Sequence, residues 1–490
     1  MTQQASTLKW VLVLLWLGTS IPSVGATELD SWLHAQTAHS TQVMLANIGP
    51  SAELPNAARG AVAASPSRNP DYRAIWVRDG ALTLDTVVGL YERAQNETEA
   101  SRYLTLLLDY VDLSRRLQLT ANLSGGPDGL GLGEPKFNID GSAYEVPWGR
   151  PQNDGPALRA LTLIHFARNL LMDGHGDIVR SKLYAPGLPA NTAIKVDLEY
   201  VSHHWRDASF DLWEESKGDH FYTRMVQHRA LVGGAALADL LGDGTAAAWY
   251  RSEARSMEPE IEKHWDAHKG YLTVTLNRVA GADYKSSGLD VAIVLGALHA
   301  QPRGENPDSF FTMTDERVLA TAAQLAASFQ AIYPINSHEM DRDNQKMQPG
   351  IGRYPEDRYS GTSTTEQGNA WFLATNAFAE FYFRCAKTWE SQGWIRMTSV
   401  NAHFFKRLNL SGKVAIRGGE RIYSSDPRFR AVIQSLREQG DGYLRRSRYH
   451  GDPSGALSEQ FNRTSGYMQS AAELTWSHAS MLTAAWAREN

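Results

Sequence analysis

Nine stretches of helical periodicity, separated by long loops rich in glycine and tryptophan, constrain this chain more than any other feature. They cover 29–48, 81–93, 99–117, 156–172, 224–241, 246–265, 316–332, 371–389 and 471–488. No sustained βαβ alternation accompanies them. Only 272–276, Leu-Thr-Val-Thr-Leu, alternates with period two, which predicts a strand in a small hairpin. Leu158, Leu161, Leu163, Ile164, Phe166 and Leu170 spread apolar surface around most of a helix, as burial on several sides requires. The segment 253–262 instead offers only Ala254, Met257 and Ile261 among charges and reads as an outer helix, with Pro259 expected to kink or break it. Asp154-Gly-Pro156 supplies an N-cap followed by proline in the first turn. These elements predict an all-α protein of two concentric helical layers, with the loops gathered over one mouth. Residues 125–155 form the longest loop, and loops of that length are usually functional.

The 490 residues carry 54 acidic and 48 basic side chains, interspersed, for a formal net charge of −6. That balance disfavours a nucleic-acid groove or a polybasic membrane surface. The apolar run 10–18 behind Lys9 is too short to span a bilayer. With Val24 and Ala26 ahead of a cleavage point, it predicts a secretory signal over 1–26, a secreted extracellular product and no membrane association afterwards. No linker divides 27–490, so one large domain is expected, as a monomer. The lone Cys385 excludes an intramolecular disulfide and reads as a small buried hydrophobe. Sequons at Asn96, Asn122, Asn409 and Asn462 fit secretion.

Several chemistries lack their signatures. The glycines at 129, 131 and 133 miss the spacing and the preceding strand of a dinucleotide loop. The 15 histidines, His203-His204 included, show no metal-ligand spacing, and no Gly-x-Ser-x-Gly elbow is present. No metal or cofactor is implied. What remains is tryptophan and tyrosine beside carboxylates and arginine, at Trp76-Val-Arg78-Asp79, 148–154, 211–215, 352–357 and 458–460 with Trp476 downstream. Such a mixture suits a sugar, whose C–H faces pack on rings while its hydroxyls take charged partners. Acetal hydrolysis needs one carboxylic acid to protonate the leaving oxygen and a second carboxylate to activate water or attack carbon. Glu214 and Glu215 are adjacent and cannot face the same way in a helix or strand, so at most one is the acid. Its partner must come from elsewhere, and Glu459 is a candidate; surface ion pairing is the alternative reading of all these carboxylates.

In order along the chain, Asn69-Pro-Asp-Tyr72 with 76–79, 131–138, Trp148-Gly-Arg-Pro-Gln-Asn-Asp-Gly-Pro156, Asp211-Leu-Trp-Glu-Glu215, 226–231, Gly352-Arg-Tyr-Pro-Glu-Asp357 and Ser458-Glu-Gln460 resemble fungal glucoamylases of glycoside hydrolase family 15. The resemblance implies an (α/α)6 barrel of inner and outer helices and an exo-acting, inverting hydrolase of α-glucans such as starch, glycogen and maltooligosaccharides. It implies Glu214 as general acid, Glu459 as general base and Glu215 as a holder of the leaving-group sugar. Tyr72, Trp76, Arg78 and Asp79 would grip the terminal glucose, and Trp213, Arg353, Asp357 and Trp476 would complete the wall. Trp148 would support the acid and meet the next sugars. Asp211 is kept as a minor alternative base, disfavoured because residues three apart on a helical turn lie too close to flank a sugar.

Three positions depart from the family pattern. Phe461 stands where tyrosine is common, Asn153 where a basic residue is common, and Glu473 where aspartate is common. No starch-binding domain is expected after the last helix. Two rival readings stay open: another exo-α-glucosidase on the same scaffold, favouring short, dextran-like or trehalose substrates, and a non-catalytic carbohydrate-binding protein.

Overall fold

The computed structural model describes residues 27–126, 129–301, 310–408, 410 and 418–489. The predicted signal segment and Asn409 lie outside them. Twelve helices of eight or more residues alternate between two layers. The outer ones are α1 (Glu28–Ala46), α3 (Glu97–Leu119), α5 (Ala193–His204), α7 (Gly244–Glu262), α9 (Glu316–Ile332) and α11 (Pro427–His450). The inner ones are α2 (Val77–Glu92), α4 (Asp154–Met172), α6 (Phe221–Leu240), α8 (Ala292–His299), α10 (Phe372–Gln392) and α12 (Thr475–Glu489). Each inner helix packs on the next, α2 on α4, α4 on α6, and so on until α12 closes on α2. The result is an (α/α)6 barrel, as the resemblance implied.

Sequence explains the sorting. Helix α6 buries Phe221, Met225, Val226, Ala230 and Leu231 together with Gln227, His228 and Arg229, so its first three turns have no solvent face. Helix α7 buries Ala254, Met257 and Ile261 on one stripe and leaves most of its charges outside; Glu253 is buried and accepts from the Trp205 indole at 2.7 Å. Pro259 does not break α7. It sits in the last turn before the Lys263 cap, and the helix continues to Glu262. Leu161 is only partly buried, whereas Leu158, Leu163, Ile164, Phe166 and Leu170 lie in the core. Cys385 is fully buried in α10, where burial pushes its thiol up.

The predicted strand 272–276 divides. Tyr271–Leu272 (β6) pairs with Trp265–Asp266 (β5), while Thr275–Gly281 (β7) joins Ser216–His220 (β4) and Ser209–Phe210 (β3) in a separate antiparallel sheet. The interruption at Thr273 and Val274 follows from their bonds: Thr273 N–H donates to His264 and Val274 N–H to Gly288, not to a strand partner. The long loop 125–155 is not wholly irregular either. It contains a 3-10 turn at Leu130–Gly133 and strand β2 (Lys136–Asn138), which pairs with β1 (Ala74–Trp76). A fourth small sheet joins β8 (Ala370–Trp371), β11 (Gln460–Phe461) and β12 (Met468–Gln469), and Trp394–Arg396 (β9) pairs with Arg421–Tyr423 (β10). Strands β1, β4 and β8 each run directly into an inner helix, so the small sheets fix the chain entering α2, α6 and α10.

Candidate active site

The N-terminal ends of the inner helices share one end of the barrel, and the loops there surround a cavity of about 390 Å³. Trp76 is the N-cap residue of α2, with Arg78 and Asp79 in its first turn. Trp371 is the N-cap residue of α10, and Trp476 opens α12. The positive ends of these helices face a site rich in carboxylates, a favourable arrangement. Tyr72, Trp76, Arg78, Asp79, Trp148, Trp213, Glu214, Glu215, Arg353, Glu459 and Trp476 all line the cavity. The structure thus gathers into one wall residues spread over 400 positions of sequence. Asp211 and Asp357 are not in that wall. Asp357 lies behind Arg353 and holds its guanidinium through Nε at 2.8 Å, and Asp211 lies behind the turn that carries Glu214.

Glu214 and Glu215 both face the cavity because neither helix nor strand geometry applies to them. The chain turns between β3 and β4, and Glu214 takes φ of +68°. A non-glycine residue in that region is strained by about 1–3 kcal/mol and persists only where its surroundings over-determine it. The surroundings here are specific. Asp211 Oδ1 accepts the N–H groups of Glu215 at 2.7 Å and Ser216 at 3.0 Å. Gly281 N-terminal to the loop after β7 brings that strand against the Glu215 carbonyl, which accepts from Ala282 N–H at 2.9 Å.

The two carboxylates nevertheless meet different partners. Glu214 Oε1 accepts from the Trp76 indole at 2.8 Å and from Gln152 Nε2 at 3.2 Å, with an Arg78 nitrogen 3.8 Å away. Glu215 accepts from Arg353 at 2.8 Å and the Tyr354 hydroxyl at 2.6 Å and pairs with Lys285 at 3.1 Å. Arg353, Tyr354 and Lys285 therefore fix the Glu215 side chain from three sides.

Glu459 immediately precedes β11 and is 2% exposed. One oxygen accepts from the Tyr72 hydroxyl at 2.9 Å; the other accepts from Ser470 Oγ and from Gln460 Nε2 at 2.9 Å. Burial raises its affinity for a proton, and the Ser470 and Tyr72 donors, Arg353 and Gln460 oppose the rise without cancelling it. Burial likewise pushes the Asp79 carboxyl up to about 6 against the pull of Arg78.

Sequence reasoning missed Lys136, Gln152, Tyr359, Trp371 and Ser470. Gln152 and Lys136 lie inside two of the motifs but carried no stated role. Lys136 Nζ is caged by the rings of Trp148 at 3.7 Å, Trp76 at 4.0 Å and Tyr144 at 4.3 Å, and burial lowers its pKa to about 8. Trp148 stands at the rim, 36% exposed, and reaches Glu214 only through this cage; Trp76 and Gln152 are the groups that hold Glu214. Ser470 gave no signal in sequence, since an isolated serine 11 residues after a glutamate is unremarkable.

The departures have structural accounts. Phe461 is fully buried, stacked on His450 with ring centres 4.6 Å apart, and Tyr72 supplies Glu459 with a phenolic donor instead. Asn153 accepts from the Tyr200 hydroxyl at 2.9 Å. Glu473 faces away from the cavity to meet His478 Nε2 at 2.7 Å.

Two donors in the wall have no protein partner: Arg78 Nε and the Trp371 indole N–H are buried and unpaired. Buried donors of this kind are normally satisfied, so the cavity fits a ligand that carries several acceptor oxygens on a body flat enough to lie between rings. Leu373 and Trp476 separate it from a deeper space of about 70 Å³ on the barrel axis, room for a few waters only.

Comparison with known proteins agrees with this geometry. The family model described as glycosyl hydrolases family 15 matches residues 38–486. A glucoamylase of Blastobotrys adeninivorans is 37% identical over 472 residues, covering 96% of this chain and 73% of that protein. Glucoamylase 1 of Rhizopus oryzae is 38% identical over 465 residues, covering 95% and 72%. The glucoamylase structure from Saccharomycopsis fibuligera matches with a TM-score of 0.84 at 33% identity, covering 95% of this chain and 96% of that one. A family match across 38–486, with relatives this similar along nearly the whole chain, makes the protein a member of glycosyl hydrolases family 15 and an enzyme of the glucoamylase type.

Proposed function

We propose that the protein is a secreted, exo-acting hydrolase that removes single glucose units from the non-reducing ends of α-1,4-glucans, with slower attack on α-1,6 links and inversion to β-glucose. The observation that carries the reading is the blind cavity: aromatic rings, two unpaired donors and two differently held glutamates surround a space backed by Leu373 and Trp476. A chain end enters such a cavity, whereas the middle of a polymer cannot pass through it.

In the proposed reaction, Glu214 gives its proton to the glycosidic oxygen as the bond from C1 to that oxygen breaks. Glu459 takes a proton from a water that attacks C1 from the opposite face, so the new bond forms with the configuration inverted. The cycle leaves Glu214 ionised and Glu459 protonated, and exchange with solvent resets both. Arg78, Asp79 and Trp371 bind the hydroxyls of the terminal glucose, while Tyr72, Trp76, Trp213 and Trp476 cover its faces. Arg353, backed by Asp357, completes this grip; Glu215 holds the sugar on the leaving side, and Trp148 meets the sugars beyond. Asp211, turned away from the cavity and paired with Lys285, is not a proton acceptor in this scheme.

Incubation with maltose, isomaltose, trehalose, maltoheptaose and soluble starch tests the reading. Glucose released steadily from maltoheptaose and starch, faster than from isomaltose, is expected. Release from trehalose or isomaltose alone would move the protein to the rival exo-glucosidase reading, and no release from any of them would leave only carbohydrate binding.

A further inference from the structure

The turn that carries Glu214 is anchored by a residue no motif contains. Lys285 comes from the loop after β7, 70 residues beyond Glu215 in sequence, and its side chain is 9% exposed. Its ammonium lies 2.8 Å from Asp211 Oδ2 and 3.1 Å from Glu215 Oε2, and 4.1 Å from the centre of the Tyr354 ring. Asp211 uses its other oxygen to accept the backbone N–H groups of Glu215 and Ser216. One cation thereby links the backbone of the turn, through Asp211, to the side chain next to the acid. Between those two points sits Glu214, at φ of +68°.

We propose that Lys285 is a positioning residue for the general acid: by bridging Asp211 and Glu215 it fixes the strained turn that aims Glu214. The proposal rests on the glycosidase reading above. The groups facing Lys285 are Asp211, Glu215, Asp290 and His220. Those facing Glu214 are Arg78, Asp79 and Lys136. Burial disfavours the Lys285 ammonium, but Asp211 and Glu215 outweigh it and hold the amine well above its ordinary range, so its charge is constant wherever the enzyme works. Burial also pushes the Asp211 carboxyl up, and Lys285, His220 and the Ser216 N–H overcome it to hold that group at about 2. Without Lys285 the buried Asp211 carboxylate would lose its charge partner and the turn its brace.

The test is the pH dependence of kcat/KM on maltoheptaose for Lys285→Met, Lys285→Arg and Asp211→Asn, with folding followed by circular dichroism. The alkaline limb reports loss of the acid's proton. Removing a cation raises the pKa of a nearby carboxyl, and removing an anion lowers it. Lys285→Met is expected to lose about tenfold or more in kcat and to move the alkaline limb to higher pH by roughly half a unit. Lys285→Arg should recover most of both, and Asp211→Asn should move the limb the other way. If Lys285→Met does not fold, the limb positions of the other two variants decide. Limbs unmoved in the folded variants, or equal losses in Met and Arg with an unmoved limb, would reduce Lys285 to a packing role and overturn the proposal. Inactivity of the wild-type protein on maltoheptaose would instead overturn the glycosidase reading beneath it.

Discussion

The two ends of the cavity hold their carboxylates in opposite ways. Glu214 is itself strained, sits on a turn at φ of +68°, and lies among charges: Arg78, Lys136, Asp79 and its neighbour Glu215. Glu459 sits at the start of a regular strand pairing, and the strain is displaced onto its donor Ser470, which has φ of +69°. Its contacts are the hydroxyls of Tyr72 and Ser470 and the amide of Gln460, all neutral. The difference matches the two proposed tasks. An acid must keep a proton until the leaving oxygen arrives, and a base must be ionised yet able to accept a proton. Glu214 also accepts from the neutral Trp76 and Gln152 donors, and Arg353 acts on Glu459 from a distance, so the contrast is one of degree.

The largest expected effect breaks both ends equally. Glu214→Gln and Glu459→Gln should each lower kcat by roughly 10² to 10⁴ while the folded protein still binds maltooligosaccharides, as read from initial rates and calorimetry. A variant with near-normal turnover would remove its residue from the scheme.

Two glycines then separate the ends. Gly281 has φ of +82°, and a Cβ there would meet the Glu215 carbonyl oxygen; Gly361 has φ of +93°, and a Cβ there would meet Ser470 Cβ. Both substitutions to alanine should destabilise the protein by about 1–3 kcal/mol in thermal unfolding. Gly281→Ala should also cost about tenfold or more in kcat, because the acid's whole turn must shift. Gly361→Ala displaces only one donor to the base and should cost less. Equal losses would show that the base end is as strained as the acid end.

Removing a single donor sharpens the contrast further. Trp76→Phe takes the indole N–H from Glu214 and should lower kcat by about tenfold, the scale of one hydrogen bond to a charged group. Ser470→Ala has the smallest expected effect on the maximal rate and a larger one on its pH dependence. Loss of a donor to the carboxylate raises its pKa, so the acid limb, where Glu459 must be ionised, moves to higher pH by up to about one unit. A limb that moves to lower pH would contradict the assignment of that limb to Glu459.

Sequence alone carried the layered architecture, because nine helices have apolar patterns strong enough to read. It missed α11, where arginines and the glycines at 440 and 442 interrupt a stripe of Phe429, Val432, Ile433, Leu436, Tyr443 and Leu444. Helices α5 and α8 also escaped, the latter because seven of its eight residues are buried and show no periodicity. The motifs led to most of the cavity wall. They could not show that Glu214 and Glu215 face the same space, since local periodicity assumes regular backbone and the turn at Glu214 departs from it. Nor could they reach Lys285 or Ser470, whose importance exists only in contacts made across the fold.

The central claim is that Glu459 activates water opposite the oxygen protonated by Glu214. Proton NMR of glucose released from maltoheptaose, recorded before mutarotation, tests it most directly. The account predicts β-glucose as the first product. Initial α-glucose would require attack by the protein itself and a covalent intermediate, and would contradict the role of Glu459 as a base.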